Sequence, residues 1–212
     1  MNVLSRVEVA ERMTSEEFFR YAPEDQKAEL IDGVMIVHSP PLVIHEKLFR
    51  FLFRLLAAYA EEQDLGEVLG SRTPVELEVE QTYEPDILFV AGERASIVES
   101  KGVFGAPDLV IEILPSTSSG RGSAGTVHYD RGSKFKAYER AGVRELWLID
   151  PYGPTGTEFY QLQGRRFVPI MPDRDDILRS VAVPSFWIDV NWLWPGERFI
   201  PVRQALARIS AA

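Results

Sequence analysis

Gly105-Ala106-Pro107-Asp108-Leu109-Val110-Ile111-Glu112-Ile113-Leu114 is the stretch of sequence that decides the fold. Apolar residues, several of them β-branched, stand between two prolines, and this pattern predicts a short strand that is buried on both faces. Glu112 is the exception within the strand. A charged side chain among valine, isoleucine and leucine is unfavourable unless a partner compensates its charge. The sequence therefore predicts a partner for Glu112.

A second Pro-Asp pair, in Glu84-Pro85-Asp86, precedes another apolar run at residues 87–90. If the two runs pair as antiparallel strands, Val90 lies near Asp108 and Asp86 lies near Glu112, with Cβ atoms about 5 Å apart. Two carboxylates at that distance repel each other unless a cation lies between them. A hard divalent cation such as Mg²⁺ or Mn²⁺ would resolve the repulsion. The alternative for Asp86 is structural, because Pro-Asp at a strand start is also common turn chemistry.

The flanking sequence predicts a single α/β domain spanning residues 1–212, with a core at about 14–194 and a short C-terminal tail. Residues 14–21 carry the pattern of a capped short helix, and residues 43–63 that of a long amphipathic helix. A further helix is predicted over residues 129–141, and Asp32-Gly33 marks a hairpin turn. These elements indicate a central mixed β-sheet flanked by helices on its two faces.

Composition limits where the protein works and what it can bind. There are no cysteines, which fits a reducing cytoplasm, and no apolar run is long enough to cross a membrane. The formal charge is −9, so any contact with nucleic acid needs a local basic patch or a bound cation. The best candidate patch is Arg121, in a glycine-rich loop, together with Arg131, Lys134 and Lys136.

Lys134 lies near the start of the predicted helix 129–141. The N-terminal end of a helix carries a partial positive charge, so a lysine there is unfavourable. A functional role would explain why a lysine occupies this position. Lys134 could orient an attacking water or offset the charge that develops on a phosphate. The alternative is a solvated helix charge without any role.

Several segments, taken in order, carry a resemblance to a known family. They are Ala28-Glu29-Leu30-Ile31-Asp32-Gly33, His45, Pro85-Asp86, the stretch from Gly105 to Leu114, Asp130-Arg131-Gly132-Ser133-Lys134, Tyr138 and residues 142–151. Together they resemble the Uma-two family of endonucleases, part of the PD-(D/E)XK or restriction-endonuclease-like superfamily. The resemblance runs from about residue 14 to residue 193 and implies a restriction-endonuclease-like core.

The resemblance also implies roles. Asp86 and Glu112 correspond to the two metal-binding carboxylates, and the Ile113 carbonyl is an expected third ligand. The lysine that the superfamily usually has at the position of Leu114 corresponds here to Lys134. Glu29 resembles an additional acidic residue near the metal. Asp108 and His45 match recurrent family positions without an assigned role.

The sequence thus leads to a metal-dependent phosphodiesterase that uses Mg²⁺ or Mn²⁺, with DNA as the substrate that the resemblance implies. A homodimer is expected, since enzymes that cut a duplex often have two-fold symmetry. The alternative is a non-catalytic interaction or regulatory protein that retains the fold. Two features favour it: the acidic net charge and the altered sequence after Glu112. That sequence lacks the serine that the family usually has between Leu114 and Pro115, and the segment up to His128 is longer than the family's usual link.

Overall fold

The computed structural model describes residues 12–70, 72–114 and 130–211, and for residues 130 and 131 it describes the backbone alone. The helices are α1 (Ser15–Tyr21), α2 (Val43–Glu62), α3 (Phe135–Ala141) and α4 (Val202–Ser210), with 3₁₀ turns at Gly92–Ile97 and Val190–Leu193 and a π-helical turn at Asp130–Lys134. The strands are β1 (Ala28–Ile31), β2 (Val34–Val37), β3 (Gly66–Gly70), β4 (Val75–Glu78), β5 (Gln81–Tyr83), β6 (Ile87–Ala91), β7 (Val98–Glu99), β8 (Gly102–Phe104), β9 (Leu109–Ile113), β10 (Glu145–Ile149), β11 (Glu158–Gln163), β12 (Arg166–Ile170), β13 (Ile177–Arg179) and β14 (Trp187–Asp189).

The central sheet has six strands in the order β12-β11-β10-β9-β6-β3. It is mixed, because β9 and β10 run parallel while the other neighbours are antiparallel. Strand β9 lies inside this sheet and is buried along its whole length, as its apolar sequence predicted. The α/β class with a central mixed sheet is therefore confirmed.

The two faces of the central sheet bury different helices. On one face, α2 packs its apolar stripe against Ile87, Phe89, Ile111 and other inward residues of the strands. On the opposite face, α3 packs through Ala137 and its neighbours against Val110 and Leu148. The sequence prediction of one helix on each face is confirmed. Since side chains alternate along a strand, even-numbered residues of β6 and β9 point toward the α3 face.

A second six-stranded sheet lies outside what the sequence predicted. Its order is β2-β1-β5-β4-β8-β7, and the predicted Asp32-Gly33 hairpin forms its β1–β2 edge, with positive φ angles at both turn residues. The chain crosses from this sheet to the central one through Glu84-Pro85-Asp86, which joins β5 to β6. That crossing brings β1 close to the ends of β6 and β9.

Two sequence expectations need correction. The helix expected over residues 129–141 is α-helical only from Phe135, because a π-helical turn occupies residues 130–134; residue 129 lies outside the described part. The expected C-terminal tail contains the helix α4, which buries Ala205 and Ile209 in the cluster around α2. In the described part of the chain, no helix is both long enough and apolar enough to span a membrane.

Candidate active site

Asp86 immediately precedes β6 and Glu112 lies in β9, and these two strands are antiparallel neighbours in the central sheet. The observed register pairs Ile87 with Ile111 and Leu88 with Val110, so the next pair in the same register is Asp86 opposite Glu112. Ile87 and Ile111 both pack against α2, and the two carboxylates therefore point to the other face. The backbone N–H of Ile113 donates to Asp86 Oδ2 at 2.8 Å, which fixes Asp86 beside the end of β9.

Asp86 is buried and is held by two basic side chains. Lys27 Nζ lies 3.0 Å from Oδ1, and His45 Nε2 lies 3.1 Å from Oδ2. Burial acts to raise the pKa of Asp86, but Lys27, His45 and the Ile113 N–H outweigh it and lower that pKa. Burial likewise acts to lower the pKa of His45, and its hydrogen bond and attraction to Asp86 raise it above the ordinary histidine value. Asp86 is thus an anion in this structure.

Glu112 is buried on the same face and contacts the element that follows it in the sequence. Lys134 Nζ donates to Glu112 Oε1 at 3.2 Å, and the Tyr138 hydroxyl donates to the same oxygen at 2.7 Å. Lys134 comes from the π-helical turn and Tyr138 from the next turn, in α3. Burial first, and then the charge of Glu112, raise the pKa of Tyr138, so this hydroxyl remains a donor at neutral pH.

Glu29 joins the site from the second sheet. Lys134 Nζ lies 2.8 Å from Glu29 Oε1, and the same ammonium bonds Glu112, so one lysine bridges two buried carboxylates. His38 Nε2 lies 2.8 Å from Glu29 Oε2, and the Glu84 N–H donates to Oε1 at 3.0 Å. Burial acts to raise the pKa of Glu29, but Lys134, His38 and Lys27 reverse this and lower it.

Glu84 is the fourth acidic residue of the site. It is buried, and within the described residues its Oε2 atom has no hydrogen-bond partner. Burial raises the pKa of Glu84 to about 7, and the negative charge of Glu29 adds to that rise while Lys27 opposes it. When a buried carboxyl group that lacks a hydrogen-bond partner ionises, the folded protein becomes less stable.

The Glu84→Gln variant tests whether ionisation of Glu84 destabilises the folded protein. The carboxyl has a pKa of about 4.3 in the unfolded chain and about 7 in the fold, so the unfolded state releases its proton first as pH rises. The destabilisation caused by Glu84 therefore grows as the pH rises from about 4.3 to about 7, and it stays constant at higher pH. The difference between the two pKa values sets an upper limit of about 4 kcal/mol at pH 8, so we expect Glu84→Gln in EDTA to be more stable than the wild type by about 2 to 4 kcal/mol at that pH. In urea unfolding curves, the stability difference between Glu84→Gln and the wild type should become smaller toward pH 5. An equal difference at pH 8 and pH 5 would contradict the raised pKa of Glu84.

The site has the donor chemistry of a divalent cation site. Two lysines, Lys27 and Lys134, form ion pairs with three carboxylates, those of Asp86, Glu29 and Glu112, so the carboxylates outnumber the lysines by one. Glu84 is a fourth buried carboxyl group beside them, and its raised pKa leaves it only partly ionised at neutral pH. No three His, Asp or Glu side chains of the described chain form a metal-holding group by themselves. Magnesium, however, commonly takes one or two carboxylates and completes its shell with water and phosphate oxygen.

Asp108, the aspartate of the other Pro-Asp pair, lies away from this site. It faces Val90 at the opposite end of the β6–β9 pair, where its carboxylate accepts from the Ala91 N–H at 2.9 Å. Arg94 and Arg144 lie 3.0 and 3.3 Å from its Oδ1 atom. These bonds tie the turn after β6 to the start of β10, so the contacts of Asp108 are structural.

The expected basic patch is only partly described. Arg121 and the side chain of Arg131 lie outside the described residues, and Lys136 is exposed on α3. Lys134 is buried between two carboxylates, and it therefore contributes no charge to the surface. The candidate nucleic-acid contacts of Arg121, Arg131 and Lys136 remain predictions.

Lys27, His38 and Glu84 were missed as site residues in the sequence. The signal for Lys27 was available: it lies two residues before Glu29 at a strand start, and residues two apart share a face. The hairpin turn then sets the register, in which the His38 N–H donates to the Lys27 carbonyl at 2.8 Å. Sequence alone could not bring this edge to Asp86, because that contact depends on how the two sheets meet.

A mixed sheet that carries paired carboxylates at the ends of two adjacent strands, with a lysine from the following helical segment, defines a nuclease-like fold of the restriction-endonuclease type. The profile of the family described as "Uma2: Putative restriction endonuclease" matches residues 15–191. The chain belongs to this family, which confirms the resemblance found in its sequence.

A solved relative has the same fold. The crystal structure of a protein described as a putative nuclease belonging to DUF820, from Anabaena variabilis, superimposes with a TM-score of 0.62 at 19% sequence identity. The match covers 93% of this chain and 99% of that one. No curated protein matches the chain.

Proposed function

We propose that this protein is a metal-dependent phosphodiesterase that cuts DNA. The observation that carries the proposal is the adjacency of Asp86 and Glu112 on one face of the central sheet, within a group of carboxylates that exceeds its lysines in charge. Membership in a family described as restriction endonucleases supports a nucleic acid as the substrate. A cytoplasmic location and a homodimer remain predictions from the sequence.

In this proposal Asp86 and Glu112 hold Mg²⁺ or Mn²⁺, with the backbone carbonyl of Ile113 as the further ligand predicted from the sequence. Such an ion lowers the pKa of a bound water and offsets charge on the scissile phosphate. The remaining polar residues position these ligands. Tyr138 and Lys134 fix the rotamer of Glu112 through two hydrogen bonds to the same oxygen.

The two lysines differ in what they can reach. The Lys134 side chain is 3% exposed and forms ion pairs with both Glu29 and Glu112. We therefore propose that its charge offsets the repulsion between these two carboxylates. The Lys27 side chain is 24% exposed, and the carboxylates of Asp86, Glu112 and Glu29 outweigh its burial and raise its pKa. Lys27 therefore stays charged at neutral pH and is the better placed of the two to offset the charge of an entering phosphate.

The rival function is a non-catalytic interaction or regulatory protein that retains the fold. It is favoured by the complete engagement of Asp86 with Lys27, His45 and the Ile113 N–H. Nicking of supercoiled plasmid distinguishes the two. We expect the wild type to convert plasmid to the open circle with Mg²⁺ or Mn²⁺, and this nicking to stop in excess EDTA. The variant Glu112→Gln, purified identically, should not nick the plasmid, which excludes a contaminating nuclease. Plasmid binding without metal-dependent nicking would support the rival and refute the phosphodiesterase.

A further inference from the structure

An open groove of about 750 Å³ runs between α2 and the segment that leads into α4. Residues of α2 form one wall, and residues 193–202 form the other. The groove is distinct from the carboxylate site, which lies on the other face of the central sheet. Neither the sequence patterns nor the proposed chemistry uses it.

Four basic residues line this groove. Lys47, Arg50 and Arg54 follow one another on α2 at intervals of three and four residues, so they share a side of the helix. Arg198 comes from the opposite wall. All four are exposed, and within the described residues none of them forms a salt bridge, whereas Arg94, Arg140 and Arg166 each do.

This cluster is unusual in a chain whose formal charge is −9. Glu197 is the one acidic residue among those that line the groove, so the lining has an excess of three positive charges. The helix rises 1.5 Å per residue, so Lys47 and Arg54 are separated by about 10 Å along its axis. A DNA strand carries one phosphate per about 3.4 Å of helix axis, and a span of this length faces about three phosphates. The spacing and the sign of charge both fit a phosphate backbone.

The groove begins beside the candidate active site. His45, in the first turn of α2, contacts Asp86, so the N-terminal end of α2 reaches the candidate active site. Lys47, two residues later, lies near that end on another side of the helix. On the other wall, Ile149 pairs with Ile113 in the central sheet, and Tyr152, which is 49% exposed, lines the groove three residues beyond it. The Trp194 indole N–H donates to the Asp150 carbonyl at 2.7 Å and fixes the second wall to this loop.

We propose that this groove binds the phosphate backbone of duplex DNA that flanks the cleavage site. The identity of the ligand rests on the proposed function, but the groove is a separate surface from the carboxylates. Lys47, Arg50, Arg54 and Arg198 contact phosphates on the α2 side of the sheet. The strand then passes over the end of β9 and β10 to reach Asp86 and Glu112.

The test measures the binding of a fluorescein-labelled DNA duplex by anisotropy in EDTA, over a salt series from about 50 to 200 mM. The variant Lys47→Gln/Arg50→Gln/Arg54→Gln removes the α2 charges and keeps good helix formers. Its matched control, Arg20→Gln/Arg165→Gln/Arg174→Gln, removes three arginines that do not line the groove. Thermal unfolding verifies that both variants are folded.

We expect the groove variant to bind about 10- to 100-fold more weakly than the wild type at low salt, and the slope of log affinity against log salt to fall by about 2.7. Arg198→Gln alone should reduce that slope by about 0.9. The control should keep the wild-type slope. If the groove variant and the control bind equally, the groove is not the DNA surface.

The outcome is independent of hydrolysis. A protein that nicks plasmid while its groove variant binds normally refutes the groove and leaves the phosphodiesterase intact. A protein that fails to nick while its groove variant loses affinity refutes the phosphodiesterase and supports the groove. A wild type that binds no duplex refutes the groove directly.

Discussion

Asp86→Asn is expected to reduce plasmid nicking by about 10³-fold or more at saturating Mg²⁺. The substitution keeps the size of the side chain and removes one of the two carboxylates proposed to hold the ion. Loss of several kcal/mol of charge stabilisation in the transition state corresponds to a rate loss of this order. Nicking rates measured with equal amounts of folded protein give the result.

Asp108→Asn is the matched control, because it changes the other buried Pro-Asp aspartate. Asp108 is held by Arg94, Arg144 and the Ala91 N–H at the far end of the strand pair. Its neutralisation weakens charge-assisted hydrogen bonds and should lower stability by about 2 kcal/mol. Below its melting temperature this variant should nick at nearly the wild-type rate. Equal loss of nicking in the two variants would show that the aspartates act through stability alone.

Lys134→Met is expected to destabilise the metal-free protein by about 3–5 kcal/mol. The ammonium bonds Glu29 at 2.8 Å and Glu112 at 3.2 Å, and all three groups are buried. Removing one partner from a buried charge network leaves the others uncompensated, which is the costly case for ion pairs. Urea unfolding in EDTA measures the change.

Lys136→Met provides the comparison two residues along the chain. This lysine is exposed on α3, and exposed substitutions usually change stability by no more than about 0.5 kcal/mol. Mn²⁺ should also restore part of the stability of Lys134→Met, since a divalent ion can compensate the same carboxylates. Similar unfolding curves for the two variants would contradict the bridging role of Lys134.

Much of the fold was predictable because its signals are local. The apolar run around Glu112 identified a buried strand, and the period-two alternation of strands then put Asp86 and Glu112 on one face once their pairing was assumed. The observed register confirms that pairing. The spacing of Leu48, Phe51, Leu52 and Leu55 likewise predicted α2, whose buried face contains all four.

The second sheet was not predictable in the same way. Strands β5, β7 and β8 contain only two or three residues each, too few to display a period. Their pairing also joins segments far apart in sequence, as in the parallel contact of Val75 with Val103. The placement of Glu29 and Lys27 beside Asp86 depends on this sheet, so local patterns could not bring these two of the site's six charged side chains to the others.

Of the other elements that were not predicted, α4 has a recognisable sequence pattern. Val202, Ala205, Leu206 and Ile209 follow the spacing of an amphipathic helix, so α4 could have been predicted from the expected tail. The π-helical turn at Asp130–Lys134 had no such signal. Turns of this kind often occur at functional sites, and here the turn ends at the lysine that bridges Glu29 and Glu112.

The central claim is that Asp86 and Glu112 share a divalent cation. Calorimetric titration of the metal-free protein with Mn²⁺ tests it most directly, with Glu112→Gln as the variant and the exposed Glu99→Gln as the control. The account predicts saturable binding to the wild type and to Glu99→Gln, and none to Glu112→Gln at the same concentrations. Binding that is unchanged in Glu112→Gln, or absent from the wild type, would contradict it.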